Sequence, residues 1–391
     1  MTSPGQRVLR GRRRRIVATH AAVSCVSVMA VTPASAVDWT ISGFFSQSLE
    51  ADSNVSFEDD GDAGLATTLD AGLAVQARTK TTTWLFAPGL RGTYTTDSDA
   101  DLNAIRPRFN GSIAHQNQRG GVNGSVSIIP RFTNDTGFDD TEVTDETLLQ
   151  INTNGSLSGF YSLDRRNTVS GGVFVGWRTF VDDPQDEDLG DTLRYGVNAS
   201  FSRALDARTS ANVGASATRF ESDAGDAEDR MAYALTLGAT RAVTPRLSLS
   251  GNGGASFNED DGSLEPSFVG GLGLDYAGRV DSISLGLTQS VDQNSFGEIE
   301  SRISLTGGYR HAINERSQWS VSARVTDQNP LFDESSDERR TFSVAPSYSY
   351  AIARDVDLSV GARFRLIDDE DGERASTSVF VRISKGISVL P

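Results

Sequence analysis

Eighteen blocks of alternating apolar and polar residues run through the chain, and they constrain its fold more than any other feature. In the block 356–366, Val356 and Leu358 lie on one face, while Asp357 and Ser359 lie on the other. A period of two residues is typical of a β-strand with one apolar and one polar side. Strands of soluble sandwiches usually have ~5–6 residues, whereas ~9–11 residues cross a bilayer at a tilt. The longer blocks of this chain therefore predict membrane-spanning strands, the first at 38–50 and the last at 374–385.

The connections between the blocks alternate in charge. Every second connection is acidic and contains neither lysine nor arginine, and the others are short and basic or mixed. Bacterial barrels have longer extracellular loops and short periplasmic turns, so we assign the acidic connections to the cell exterior. The nine acidic windows hold 42 of the 52 acidic residues and span 51–64, 97–101, 134–146, 182–191, 221–229, 259–265, 292–300, 327–338 and 368–373.

Together these patterns predict an all-β fold, a closed antiparallel up-and-down transmembrane β-barrel of about 18 strands. An open sheet in lipid leaves the backbone groups of its edges unpaired, so the sheet must close. Nine acidic extracellular loops and eight short periplasmic turns then place both termini in the periplasm. A hairpin repeat of ~40 residues also fits a propeller. No blade motif recurs, however, and a propeller does not require ends that differ in charge.

Residues 1–36 differ from the rest of the chain. Six arginines between Arg7 and Arg15 precede a short apolar run, and an Ala-Ser-Ala motif ends at Ala36. A basic segment, an apolar segment and small residues in this order predict a cleaved secretory signal peptide. The domain prediction is therefore a signal peptide at 1–36 and a barrel at 37–391. A retained N-terminal anchor is the alternative.

Composition argues against several classes of function. A net charge of −16 disfavours nucleic-acid binding. The only cysteine, Cys25, lies in the predicted signal, and His115 and His311 are the only histidines after it. A zinc site, a disulfide framework and a thiol nucleophile are therefore not expected. We nominate no catalytic residue, cofactor or metal, and expect no enzyme. No apolar stretch of ~18 residues follows the signal, so no transmembrane helix is expected.

The polar face of the predicted strands is rich in arginine. A barrel of eighteen strands encloses a lumen wide enough for water unless something fills it, and charged residues in a pore set its ion selectivity. An arginine-rich wall favours anions or acidic sugars. The alternative is that lumen charges pair with one another and stay hydrated. The predicted pore-lining residues are Arg106, Arg108, Arg131, Arg178, Arg194, Arg302, Arg324, Arg363, Arg365 and, on the last strand, Arg382.

The acidic loops have their own predicted partners. One hypothesis is that the third of them, 134–146, folds inward and opposes the arginines. A second is that the loops bind lipopolysaccharide phosphates through divalent cations, because carboxylates are hard ligands. A merely solvated surface is the alternative.

The first mature hairpin contains the segment from Ser46 to Val55, followed by an acidic loop, and the next strand contains Ala87-Pro88-Gly89-Leu90 and then Tyr94. These segments resemble the outer-membrane β-barrel porins found with exopolysaccharide and PEP-CTERM (exosortase) systems. The resemblance implies a role in polysaccharide secretion. Many such barrels end in an aromatic residue that the barrel assembly machinery reads. This chain ends in Pro391, so that signal is either missing or displaced to Phe380.

From the strand pattern and this resemblance we predict a porin-like channel of the Gram-negative outer membrane. It would pass small hydrophilic solutes or polysaccharide by diffusion, in contact with outer-membrane lipid and lipopolysaccharide. The alternative is a non-conducting accessory barrel that supports exopolysaccharide or envelope assembly.

Overall fold

The structure is a computed structural model that describes residues 37–54, 62–96, 103–132, 148–181, 190–223, 229–260, 263–294, 299–331, 338–369 and 372–390. The described residues form eighteen β-strands and no helix. In chain order they are β1 (Asp38–Asp52), β2 (Gly64–Arg78), β3 (Thr82–Thr95), β4 (Ala104–Gln116), β5 (Gly120–Phe132), β6 (Leu149–Ser162), β7 (Asn167–Phe180), β8 (Thr192–Ala204), β9 (Thr209–Ser222), β10 (Arg230–Thr244), β11 (Leu247–Asp260), β12 (Ser263–Ala277), β13 (Asp281–Gln293), β14 (Ile299–Ala312), β15 (Ser317–Pro330), β16 (Arg339–Ala353), β17 (Val356–Asp369) and β18 (Gly372–Leu390).

Each strand pairs with the next one along the chain, and the last pairs with the first. The closing contact is antiparallel, with Leu49 opposite Val381 and Phe45 opposite Lys385. Closure leaves every strand with two neighbours, as a bilayer requires of a sheet. The predicted closed barrel and its eighteen strands are confirmed. The last strand is longer than predicted and reaches Leu390.

The eight connections at one end of the barrel, here called the turn end, are two to four residues long. In four of them an aspartate or asparagine side chain accepts hydrogen bonds from the backbone N–H groups two and three residues later. Asp164 Oδ1, for example, accepts from the N–H groups of Arg166 at 2.7 Å and Asn167 at 2.9 Å. Such Asx turns reverse the chain within a few residues. The same arrangement recurs at Asn117, Asp206 and Asn314, each followed two residues later by an arginine.

The opposite end carries the acidic windows and is here called the acidic end. The predicted signal peptide and the whole of loop 134–146 lie outside the described residues.

The two faces of the sheet differ in chemistry as the alternation predicts. Leu235, Leu237 and Leu272 lie on the face that is exposed to the surroundings of the ring. The opposite face carries serine, asparagine and charged residues, and it is the inner one, because its side chains touch strands that are not neighbours. Arg365 of β17 thus reaches Asp52 of β1 at 2.8 Å, past β18. The apolar residues face outward, and a dry core is absent from the described part of the ring.

The aromatic residues that the sequence pattern assigned to the apolar faces all have the outward register. They are Trp39, Trp84, Tyr94, Trp177, Tyr195, Tyr276, Tyr309, Trp319, Tyr348 and Tyr350. Among the described residues, no helix is long and apolar enough to cross a membrane.

Candidate pore and its constriction

The lumen narrows from the turn end towards the acidic end. On β11, the inward residues Ser250 and Asn252 are exposed to the lumen, whereas Ser256 and Asn258, nearer the acidic end, are each only 2% exposed. The same change occurs along β18, where Arg382 is exposed and Ser378 is fully buried. Because inward side chains lose their solvent contact near the acidic end, the constriction lies there.

An ion pair crosses the lumen at this level. Arg194 Nη1 of β8 lies 2.7 Å from Asp292 Oδ1 of β13, although four strands separate β8 from β13 in the ring. Both residues lie on the inner face, near the acidic ends of their strands. The contact brings two walls of the barrel together and divides the lumen at that point.

A small cleft beside this bridge is rich in arginine. It has a volume of about 150 Å³, and Arg131, Arg178 and Arg194 line it together with Asp292. Arg178 Nε donates a hydrogen bond to Asn152 Oδ1 at 3.3 Å. We call this hollow the arginine cleft. The described residues that line it contribute three guanidinium groups and one carboxylate, which is a positive balance.

A larger cavity adjoins the arginine cleft on the side of the turn end. This lumen cavity has a volume of about 540 Å³, and it shares Asn154, Gly176 and Arg194 with the cleft. A Cβ atom on Gly176 would lie 3.0 Å from Arg194 Nε and 3.2 Å from Asn154 Oδ1. A glycine at position 176 therefore leaves the room that the Arg194 guanidinium occupies.

Two further predicted arginines lie on the inner face of β4. Arg108 Nη2 lies 3.2 Å from Asp70 Oδ1, and its guanidinium lies 5.2 Å from the centre of the Phe44 ring. Arg106 is only 3% exposed and donates a hydrogen bond to Thr93. Arg91 of β3, which the sequence analysis did not select, also pairs with Asp70 at 2.9 Å. In this group Arg106 is covered, and the single carboxylate of Asp70 pairs with both Arg91 and Arg108.

A third group of polar residues lies where the last strands of the barrel meet the first. Asp52 of β1 accepts hydrogen bonds from Arg365 at 2.8 Å and from Ser376 at 2.6 Å. Next to it, Arg363 lies 3.6 Å from Glu50. Asp52 and Ser376 are both buried, so this seam network is a polar cluster with little access to water.

The remaining predicted pore residues are also placed on the inner face by their strand registers. They are Arg302, Arg324 and Arg382, and inward acids accompany them at Asp275, Glu300 and Asp357. The described carboxylate that meets the arginine cleft is Asp292. The sequence placed Asp292 in an acidic window and did not single it out. The predicted role of loop 134–146 stays a hypothesis.

Several aromatic residues face the lumen, which the sequence analysis did not predict. Phe174 lies directly opposite Gly196, and Phe380 lies directly opposite Gly361. A Cβ atom on Gly196 would come within 2.8 Å of the Phe174 ring, and one on Gly361 within 2.6 Å of the Phe380 ring. An aromatic side chain that covers a glycine across a strand pair fills the gap and protects the backbone. The pairing explains why these rings turn inward.

Both histidines after the signal lie on the outer face. His115 Nδ1 is 2.8 Å from Thr82 Oγ1. His311 lies within β14, which continues to Ala312. Its Nδ1 is 2.7 Å from Asp281 Oδ1, which also accepts a hydrogen bond from Tyr309. Within the described ranges, no group of three or more metal-ligating side chains occurs.

Comparison with known proteins shows the fold. No protein-family model matches the chain, and no curated protein matches it. The crystal structure of a BenF-like porin from Pseudomonas fluorescens Pf-5 has 10% sequence identity and a TM-score of 0.51, covering 90% of this chain and 99% of that one. Pseudomonas aeruginosa OccK2 (OpdF) has 12% identity and a TM-score of 0.50, covering 90% and 98%. Pseudomonas aeruginosa OpdO has 10% identity and a TM-score of 0.50, also covering 90% and 98%. The chain has the 18-stranded barrel fold of these proteins.

Proposed function

We propose that this chain is an outer-membrane channel that passes small hydrophilic solutes by diffusion and prefers anions. The observation that carries the proposal is a closed ring, apolar outside, whose polar lumen narrows to a positively charged cleft at the Arg194–Asp292 bridge. The apolar outer face and the absence of sheet edges suit a lipid bilayer. The acidic end then faces the exterior, and the turn end faces the periplasm.

The charge of the constriction supports the preference for anions. Among the described residues, Arg131, Arg178 and Arg194 line the arginine cleft together with one carboxylate, Asp292. Fixed charges at a narrow point act on a passing ion over a few ångströms, where screening by salt is weakest. The arginines of the seam network contribute less, because each of them already pairs with its own carboxylate. Near Asp70, Arg106 contributes less because it is buried.

Planar-bilayer recording of the refolded protein tests this function. A channel gives discrete current steps, and in a tenfold KCl gradient its reversal potential lies on the anion side. The arginine cleft is then the element whose neutralisation moves that potential.

One observation favours the alternative, a non-conducting accessory barrel for exopolysaccharide or envelope assembly. Inward residues near the acidic end, such as Gln150, Asn258 and Ser378, are almost fully buried, which is also what a closed lumen shows. Folded protein that inserts into bilayers and gives no current steps supports this second function. Export of polysaccharide, contact with lipopolysaccharide and recognition by the barrel assembly machinery stay predictions.

A further inference from the structure

The lumen cavity contains an apolar patch on a wall that is otherwise polar. Leu85 of β3 and Phe174 of β7 both line it, and both have the inward register. Leu85 is 36% exposed, although the other leucine of β3, Leu90, faces outward. Water-exposed leucine inside a hydrophilic lumen has a cost in free energy, which a ligand with an apolar face removes.

The Phe174 ring is held in place by its neighbour across the strand pair. It covers Gly196, where a Cβ atom would approach Cζ to 2.8 Å. A fixed ring loses little side-chain entropy when a ligand packs on it, so it provides a preformed platform.

Hydrogen-bonding groups surround this platform. Asn110, Asn154 and the hydroxyl groups of four serines line the same cavity, and Ser125 Oγ lies 2.7 Å from Ser156 Oγ. Amide and hydroxyl groups both donate and accept, and they suit a ligand that carries many hydroxyl groups. The remaining serines of the lining are Ser112 and Ser127.

The charge of the lumen cavity favours a neutral ligand. Among the described residues that line it, the one charged residue is Arg194, which pairs with Asp292 at 2.7 Å. A carboxylate in this cavity would compete with Asp292 for the same guanidinium. The positively charged arginine cleft is a separate part of the lumen.

From these observations we propose that the lumen cavity binds a neutral pyranose ring, with Phe174 and Leu85 against the apolar face of the sugar and the asparagines and serines on its hydroxyl groups. The proposal deepens the proposed channel function and rests on it for its role in transport. A volume of about 540 Å³ lies within the ~300–1,000 Å³ typical of sites for small ligands.

Saturation-transfer NMR on the refolded protein in detergent tests the site, because it needs no conductance. Three probes separate the ligand classes: methyl β-D-glucopyranoside, D-glucuronate and the open-chain polyol sorbitol. We expect saturable transfer to the glucopyranoside, none to sorbitol and no tighter binding of glucuronate. Phe174→Ala should weaken glucopyranoside binding about tenfold, equivalent to ~1.4 kcal/mol. Leu85→Ser should act in the same direction.

Phe380→Ala is the matched control, because Phe380 covers a glycine in the same way but does not line the cavity. Heat-modifiable electrophoretic mobility verifies that each variant is folded. Equal binding of sorbitol, or unchanged binding to folded Phe174→Ala, overturns the proposal. A third result also overturns the proposal: glucuronate binds more tightly than the glucopyranoside, and the double variant Arg131→Ser, Arg178→Ser abolishes that binding. The ligand would then be a carboxylate in the arginine cleft. Binding of the glucopyranoside without current steps would support the sugar site and refute the channel. Current steps without binding would support the channel and refute the sugar site.

Discussion

Arg194 of β8 and Asp292 of β13 meet at 2.7 Å across the lumen, although four strands lie between them in the ring. The pair links the arginine cleft to the facing wall and contributes the one carboxylate that the structure describes in that cleft. It therefore affects both the width and the charge of the constriction.

Asp292→Asn tests this double role. Loss of the carboxylate breaks the bridge and removes a negative charge from the arginine cleft, so conductance and anion preference should both rise. A charge at ~4 Å in water is worth about 1 kcal/mol, which predicts an increase in the anion-to-cation permeability ratio of about fivefold. Single-channel recording in a KCl gradient measures it. Asp357→Asn is the control, because Asp357 is an exposed inward carboxylate at the turn end. An equal shift from both variants would contradict a special role of the bridge.

The arginines should differ in their effect on selectivity according to their pairing. Replacing Arg131 and Arg178 by serine should move the reversal potential towards cations. The same change at Arg106 and Arg108 should move it much less, because one is buried and the other pairs with Asp70. Recordings at 0.1 M salt should show the difference more clearly than recordings at 1 M, where charges are screened within ~3 Å. If the second pair has the larger effect, the arginine cleft is not the selectivity element.

The seam network should stabilise the closed ring. Asp52→Asn removes the charge that Arg365 contacts at 2.8 Å in a buried setting. Removing one partner of a buried ion pair typically costs ~3 kcal/mol or more. The midpoint of urea unfolding, followed by electrophoretic mobility, should fall. Asp38→Asn, at an exposed site on the same strand, should leave it unchanged. Equal midpoints for Asp52→Asn and the unmodified protein would show that the seam holds without this pair.

The Asx turns should make stability depend on pH. Hydrogen bonds from Asn167 and the Arg166 N–H lower the pKa of Asp164, and those from the backbone of Arg208 and from Thr209 lower the pKa of Asp206. Since the folded pKa lies below the unfolded value of 3.8, this stabilisation is complete above pH 3.8 and is lost as the pH falls through the folded pKa.

Asp164→Asn combined with Asp206→Asn should keep the turns, because Asn117 and Asn314 form the same turns without a charge. The double variant should lose part of the drop in unfolding midpoint between pH 5 and pH 3, measured by urea titration at each pH. A drop identical to that of the unmodified protein would show that these carboxyls do not govern it.

The fold was predictable because its determinants are local and repeated. Alternation fixes which side of each strand meets lipid, and the charge of the connections separates the two ends. The inward position of every predicted arginine, Arg131 and Arg178 among them, follows from the same parity.

Contacts between distant strands were not predictable from this parity. The pairing of Arg194 with Asp292 depends on the shape of the whole ring, which no local pattern contains. The packing of the Phe174 ring over Gly196 depends on the pairing of β7 with β8, which the alternation within one strand does not give. A signal for it exists in retrospect, since a phenylalanine on a polar parity opposite a glycine is visible once the strand register is known.

Inward side chains are exposed at the turn end of the lumen and buried at the acidic end. The arginine cleft, with its fixed charges, lies near the acidic end. A conducting pore with this asymmetry would rectify the ionic current. Ions entering from the wide mouth accumulate before the charged neck, and ions driven the other way are depleted from it, so equal and opposite voltages would drive unequal currents. The sign of that rectification would report which way round each molecule has inserted.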